Sequence, residues 1–414
     1  MFAGKDRAGI RKELNDAIRE RRIVPYYQPI VRNITQKTVA FETLVRWIAS
    51  DGTPIMPSAF IPILEKEHLI YLLDLAVLDA LLRDIQRADA DGINWPRVTF
   101  NLSEIDFEDC NMVEEIELRV SGVGVDPSRL AFEMTQNAVG PNFGLLRGSI
   151  EELRTFGMEM WMDNFGARNS ALDLLVGNRT DLIKLDQSLI RNLSDHNDAV
   201  LVSMLTDMAR GMGIGVLAEG VENADNFRRV REMNIEYLQG YWFCRPAPYD
   251  QMIGIEKEPG SRVKFGSMEH SEYYEKIGKI NLSHPFDRKV DAAAEAAGAQ
   301  LPSGVLQFEN GSWVLLCSNA EFLNVLEKDG LVCPDDRNPS EITELPLRGM
   351  PPECFVNAAA KAHENGGRWV SFVSRTGEGA PCICFVREIA DTEEGDKRAV
   401  LTVVISGEIA DFSM

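Results

Sequence analysis

Between residues 10 and 250 the chain repeats one pattern: a short apolar run, then in most cases a longer amphipathic stretch. The runs are Ile23 to Ile30, Thr38 to Val45, Arg97 to Leu102, Leu130 to Thr135, Met158 to Asp163, Leu182 to Asp186, Ile214 to Ala218 and Tyr237 to Gln239. Strand-length runs alternating with helix-length stretches predict repeated βα units around a parallel sheet. Eight such runs in about 250 residues, most followed by a helical stretch, match a (β/α)8 TIM-like barrel. Only Val31 to Lys37 separate the first two runs, and a parallel crossover needs a dozen or more residues. Those two strands therefore form a hairpin, which leaves the barrel with one antiparallel strand. Arg11 to Arg21 reads as a helix preceding it.

At 414 residues the chain is too long for a single core. The repeat stops after Pro246 and Pro248, and Glu256 to Gly260 reads as a boundary. The expected division is a barrel over 1–255, a helical linker over 256–300 (Met268 to Ile280, Asp287 to Ala297) and a smaller C-terminal α+β domain over 301–414. In the last, Gly304 to Phe308, Trp313 to Cys317, Trp369 to Ser374, Cys382 to Ile389 and Ala399 to Ile405 read as strands, with a helix over Ala320 to Lys328. A net charge of −21 argues against any nucleic acid polymer or anionic membrane as partner. The longest apolar stretch, Leu69 to Leu82, is broken by Asp74 and Asp79 and falls short of a membrane span. Charged residues from Lys5 to Glu13 leave no apolar secretory core, so a cytoplasmic protein is expected. The seven cysteines lack framework spacing and read as reduced thiols, with Cys382 and Cys384 as small buried side chains on one strand face.

In a barrel of this kind the C-terminal strand ends converge on one mouth. Run after run places a polar residue there: Glu42, Asn101, Glu133, Asp163, Lys184 with Asp186, Glu219 and Gln239. Each alone is satisfied by a solvated strand end or a helix cap; together they point to chemistry. Carboxylates, an amide and a lysine suit hard divalent cations, Mg2+ or Mn2+, that bridge phosphate oxygens. Two such ions about 3.5 to 4 Å apart activate water and stabilise the leaving oxygen of a phosphodiester. The lysine orients that water or offsets developing charge. Without clustered His or Cys, zinc is disfavoured.

Tyr27-Gln-Pro-Ile30, Glu42-Thr-Leu-Val-Arg-Trp47, Phe60-Ile-Pro62, Asn101-Leu-Ser103, Glu133-Met-Thr135, Asp163-Asn-Phe-Gly166, Asp181-Leu-Ile-Lys-Leu-Asp186, Ala218-Glu-Gly-Val-Glu222 and Gln239-Gly-Tyr241 stand in order over residues 10 to about 250. Together they resemble the EAL domain. The resemblance implies a two-metal phosphodiesterase that opens cyclic di-GMP to linear pGpG. It assigns Glu42, Asn101, Glu133 and Asp163 to one metal, with Asp163 bridging to a second that Asn164, Asp186 and Glu219 support. Lys184 lies by the attacking water, Gln239 and Glu222 support the mouth, and Arg46 and Gln28 meet the ligand's phosphate and sugar. For Arg46 a surface salt bridge is the competing assignment.

The family usually carries a second aspartate where this chain has Asn164, Thr-Gly-Tyr-Ser-Ser where it has Ala167-Arg-Asn-Ser-Ala171, a glutamate at Gln136 and an alanine at Thr43. An amide offers one oxygen and no charge, so the second metal is expected to bind weakly and hydrolysis to be slow or impaired. The alternative is an inactive cyclic di-GMP receptor or scaffold. Gly304 to Val314, leading into Ser318-Asn-Ala-Glu-Phe-Leu323, loosely resembles a PAS-like sensor. A packing or dimerisation domain stands beside that reading, and a homodimer is expected.

Overall fold

A computed structural model describes residues 2, 4–135, 143–166, 180–266, 270–282, 285–286, 301–333, 345–375, 381–392 and 395–406. It contains two compact units. The first comprises 1–32, 37–222 and 237–267; the second comprises 33–36, 223–236 and 268–414. The first unit runs past residue 255 to Ser267, while Asn33–Gln36 and Asn223–Glu236 group with the C-terminal part.

In the first unit, eight strands close into a barrel: β1 (Ile23–Arg32), β2 (Thr38–Ile48), β3 (Arg97–Asn101), β4 (Leu130–Thr135), β5 (Glu159–Phe165), β6 (Leu182–Leu185), β7 (Gly215–Ala218) and β8 (Tyr237–Gln239). The neighbours run β1-β8-β7-β6-β5-β4-β3-β2, and β1 pairs back onto β2. Strand β1 is antiparallel to both its neighbours, and all other pairs between these eight strands are parallel. The hairpin follows from the short connection, which leaves no room for a crossover helix. The helix expected over 11–21 is Arg7–Arg19, and the Asp6 side chain caps it.

One apolar layer plugs the barrel. Ile30, Ala40, Ala131, Trp161, Leu182 and Leu217 pack together with Tyr237 against them. Side chains on one strand face recur every second residue, so the next inward position up each strand sits directly above this layer. Among the described residues no helix is long and apolar enough to cross a membrane.

The second unit is an antiparallel sheet of β9 (Ser303–Glu309), β10 (Ser312–Ser318), β11 (Val370–Arg375), β12 (Pro381–Asp391) and β13 (Lys397–Ser406). Its order is β10-β9-β13-β12-β11, with the two-residue strand Leu345–Pro346 on the β10 edge. Both sheet faces are covered. Tyr273, Tyr274 and Ile277 of helix Ser271–Gly278 pack on one; Phe322 and Leu326 of Ala320–Lys328 and Phe355 and Ala358 of Glu353–Glu364 pack on the other. The second helix expected in the linker, Asp287 to Ala297, lies outside the described residues.

Candidate active site

The layer above the plug holds the chemistry. Two residues beyond Ala40, Ala131, Trp161, Leu182, Leu217 and Tyr237 stand Glu42, Glu133, Asp163, Lys184, Glu219 and Gln239. On antiparallel β1 the offset reverses, and Gln28 stands two residues before Ile30, paired in register with Glu42. Every one of these strands therefore presents an apolar residue to the plug and a polar one to the mouth.

Four carboxylates converge on Lys184. Its Nζ lies 2.7 Å from Glu133 Oε2, 2.8 Å from Glu219 Oε1 and 3.3 Å from both Glu42 Oε1 and Asp163 Oδ1. The Lys184 and Glu133 side chains are 1% and 0% exposed, so water does little to stabilise either charge. Burial opposes the ammonium, but Asp163, Glu133, Glu219 and Glu42 outweigh it and hold Lys184 well above the usual lysine range. Burial pushes the Glu133 and Glu219 carboxyls up to about 8, against the pull of Lys184. Four acids around one cation carry a surplus of negative charge that a divalent ion would offset.

Neighbours fix these groups. Thr99 Oγ1 donates to Glu133 Oε1 at 2.5 Å, and Gln239 Nε2 donates to Glu42 Oε2 at 2.5 Å and to Gln28 Oε1 at 3.3 Å. Gln239 is therefore a strut for a carboxylate. Thr99 was not among the expected site residues, although its position two before Asn101 puts it on the same strand face. The register between β5 and β6 shifts after Met162, and there Asn164 takes a left-handed backbone with φ of 56°, which Asn tolerates better than most residues. Its Nδ2 donates to Asp163 Oδ2 at 2.6 Å.

The remaining expected residues make other contacts. Asn101, at the exposed end of β3, is in register with Glu133 of β4. The Asp186 carboxylate caps helix Gln187–Arg191 by accepting from Ser188 N at 2.8 Å. Glu222 pairs with Arg191, and Arg46 lies 5.5 Å from the Tyr26 ring centre and donates to Val45 O. Gln136 and the Ala167 to Ala171 loop lie outside the described residues.

A family model for the EAL domain matches residues 11–246. The chain belongs to the EAL domain family. Among curated proteins, this EAL chain is 31% identical over 252 residues to an uncharacterized signaling protein of Caulobacter vibrioides, covering 60% of this chain and 30% of that protein. It is 28% identical over 243 residues to the bifunctional diguanylate cyclase/cyclic di-GMP phosphodiesterase MucR of Pseudomonas aeruginosa, covering 58% and 35%. The chain thus spans about a third of the length of these relatives. Among solved structures, it superposes on the PaMucR phosphodiesterase in its c-di-GMP complex with a TM-score of 0.55 and 27% identity, over 59% of this chain and 99% of that one. The FimX EAL domain of Xanthomonas citri shares the fold, with a TM-score of 0.53 at 20% identity over 58% of this chain and 94% of that one.

Proposed function

We propose that this chain is a cytoplasmic cyclic di-GMP phosphodiesterase that opens the ring to linear pGpG slowly. One observation carries the reading: the knot of Lys184 with Glu42, Glu133, Asp163 and Glu219, seated at the mouth of an EAL-family barrel. The relative named as a cyclic di-GMP phosphodiesterase and the c-di-GMP complex support the substrate.

The all-oxygen donor set fits Mg2+ or Mn2+. Among the described residues no three His, Cys, Asp or Glu side chains are already disposed as a metal cage; the carboxylates face the ammonium and would turn toward an entering ion. Glu42, Asn101, Glu133 and Asp163 would hold one ion, and Asp163, Asn164, Asp186 and Glu219 the second. Bound, such ions neutralise phosphate oxygens and make a water more acidic. The chain's own residues do the rest. Lys184, buried and held charged, orients the attacking water. That water adds to phosphorus as one P–O ester bond breaks, the proton it gives up passes by way of solvent to the departing sugar oxygen, and the phosphate stays on one end of the linear product. Gln239 keeps Glu42 in place, Arg46 and Gln28 meet the phosphate and sugar, and Glu222 supports the mouth.

A second reading, capture without turnover, is favoured by Asn164. Its amide donates to Asp163 Oδ2, which leaves that carboxylate with less free capacity to hold an ion. Titration with cyclic di-GMP, with and without Mg2+ or Mn2+, followed by product analysis separates the two. Metal-dependent pGpG supports the enzyme, and binding without product supports the receptor.

We read the barrel of 1–255 as the catalytic part, 256–300 as a connection and 301–414 as a PAS-like sensory or dimerising domain, the whole working as a homodimer. The β9–β10 hairpin leads into a helix capped by Asn319, whose Oδ1 accepts from Phe322 N and Ser303 N, in keeping with the PAS-like reading. Val200, Leu201 and Met204 are exposed on one helix, in keeping with association.

A further inference from the structure

Beside the barrel mouth two carboxyl groups are hydrogen-bonded to each other. Asp74, on helix Ile70–Ala90, bonds to Asp106, the first residue of the short helix Asp106–Asp109 that packs against it. Asp106 is 0% exposed. Its Oδ2 accepts from Ser103 N at 2.7 Å, and its Oδ1 has no amide or hydroxyl partner among the described residues. Ionised carboxylates only accept hydrogen bonds, so the contact exists only while one of the pair carries a proton. Oδ1 is left free to take it.

The surroundings make that proton hard to lose. Glu65 of helix Ile61–Lys66 faces both carboxyls, its Oε1 3.5 Å from Ser103 Oγ. Asp109, on Asp106's own helix, adds a further negative charge and is paired with His68 at 2.9 Å. Burial first, then Asp106 and Glu65, hold the Asp74 carboxyl well above the usual carboxylate range. Burial pushes Asp106 up to about 6, although the bonds from Asp74 and Ser103 N draw it down. The folded pair thus keeps a proton that an unfolded chain releases at about 3.9. Its contribution is present at low pH and is lost as pH rises through the folded values.

The pair holds a segment of the mouth. Asn101 ends β3, and Asp106 clasps Ser103 two residues further on. The chain leaving the mouth is therefore tied through Asp106 to helix Ile70–Ala90. Without the shared proton, two adjacent buried carboxylates repel, and the tie pushes its two helices apart.

We propose that Asp74 and Asp106 form a pH-sensitive clasp: one shared proton holds segment 102–106 against helix Ile70–Ala90, and its loss releases that segment beside the mouth. The clasp stands whether or not the barrel holds a metal or hydrolyses a nucleotide.

The test follows the full chain by NMR and amide hydrogen exchange between about pH 5 and about pH 9. The Ser103 amide and the Asp106 carboxyl carbon should shift together as pH rises past about 6. Asp74→Asn supplies an N–H donor at every pH, so in it Asp106 should titrate lower than in the parent and the Ser103 shift should vanish. Exchange of the 102–106 amides is compared between the two proteins at equal pH, where intrinsic rates cancel. It should be alike at about pH 5 and about tenfold faster in the parent at about pH 9, the value of one hydrogen bond to a charged group. His68→Gln should behave as the parent does, since His68 touches Asp109 and not the pair. An Asp106 carboxyl that titrates in the ordinary aspartate range in the parent would overturn the proposal, and this reading decides the matter if Asp74→Asn does not fold. Equal exchange in parent and Asp74→Asn at the high-pH end, or a Ser103 shift that disappears in His68→Gln, would overturn it as well.

Discussion

Lys184 is the one cation in the carboxylate knot, and its removal should be felt in the fold before any chemistry is assayed. Stripping one partner from a buried ionic cluster costs about 3–5 kcal/mol, because the remaining charges are left uncompensated. Lys184→Met should lower metal-free stability by an amount of that order, and excess Mn2+ should recover part of it by taking over the charge. Urea melts in chelator and in Mn2+ measure both, and a variant as stable as the parent in chelator would show that the knot contributes nothing. Glu133 makes the complementary case for pH. Its carboxyl sits near 8 in the fold, raised by burial, against about 4.3 in an unfolded chain. Between those values the folded state binds the extra proton, so its contribution is fully present below the unfolded pKa and is lost as pH rises through the folded one. Glu133→Gln carries no such titration. Its metal-free stability relative to the parent should climb from about pH 5 to about pH 8 by on the order of a few kcal/mol. A pH-independent difference would sink the assignment. Asn164→Asp adds a carboxylate where backbone angles already suit it and removes the amide donor from Asp163. It should tighten Mn2+ binding measured by calorimetry about tenfold or more, with a modest gain in hydrolysis. Unchanged Mn2+ affinity would mean position 164 is not a ligand.

At the scale of elements, the turn after β8 depends on close backbone approach. A Cβ on Gly240 would fall 2.0 Å from Val221 O, while Val221 N donates to Gln239 O and Trp242 N to Val221 O. Backbone cannot give way there as a flexible side chain would, so Gly240→Ala should destabilise the barrel by more than about 2 kcal/mol and loosen Gln239 from Glu42. A melt within 0.5 kcal/mol of the parent would show that the turn has slack. The strands themselves were legible because apolar runs of strand length alternate with helix-length stretches, and Leu130–Thr135 and Tyr237–Gln239 begin and end where those runs do. The candidate site was legible because run after run carries a polar residue toward its C-terminal end, and the structure adds the apolar layer two residues below it. Helix Glu353–Glu364 was not anticipated. Its buried face is Phe355, Ala358, Ala359 and Ala362, a spacing of three and four that small alanines make faint to a hydrophobicity reading. Thr99 was missed because a hydroxyl inside an apolar strand looks like β-propensity rather than a hydrogen-bond donor to Glu133.

The division of the whole molecule is set by packing more than by composition. The composition shift near Glu256 suggests an early end to the barrel, yet the chain beyond it still seals the barrel's unit. The Phe265 ring lies 5.6 Å from Phe41 and 5.5 Å from Trp95. Thr38 N donates to Lys264 O, and Gly266 N returns a bond to Thr38 O; Asn94 Nδ2 donates to Gly266 O at 2.7 Å. A fragment ending at residue 255 loses all of these and opens Phe41, Trp95 and Thr38 to water, whereas one ending at 267 keeps them. Phe265 is half-buried and Val263 fully buried, and removing such side chains costs about 2–3 kcal/mol, so the shorter fragment should be less stable than the longer by about that much in urea melts. Both fragments also lack residues 268–414, with which 33–36 and 223–236 group and where Ile280 O accepts from Asn234 Nδ2. The longer fragment should therefore fold with faster amide exchange concentrated in helix Ala224–Glu232 and near-native protection in β4 to β6. Equal melts for the two fragments would show that the segment around Phe265 is dispensable. Uniform loss of protection across the longer fragment would show that the barrel depends on the second unit to fold.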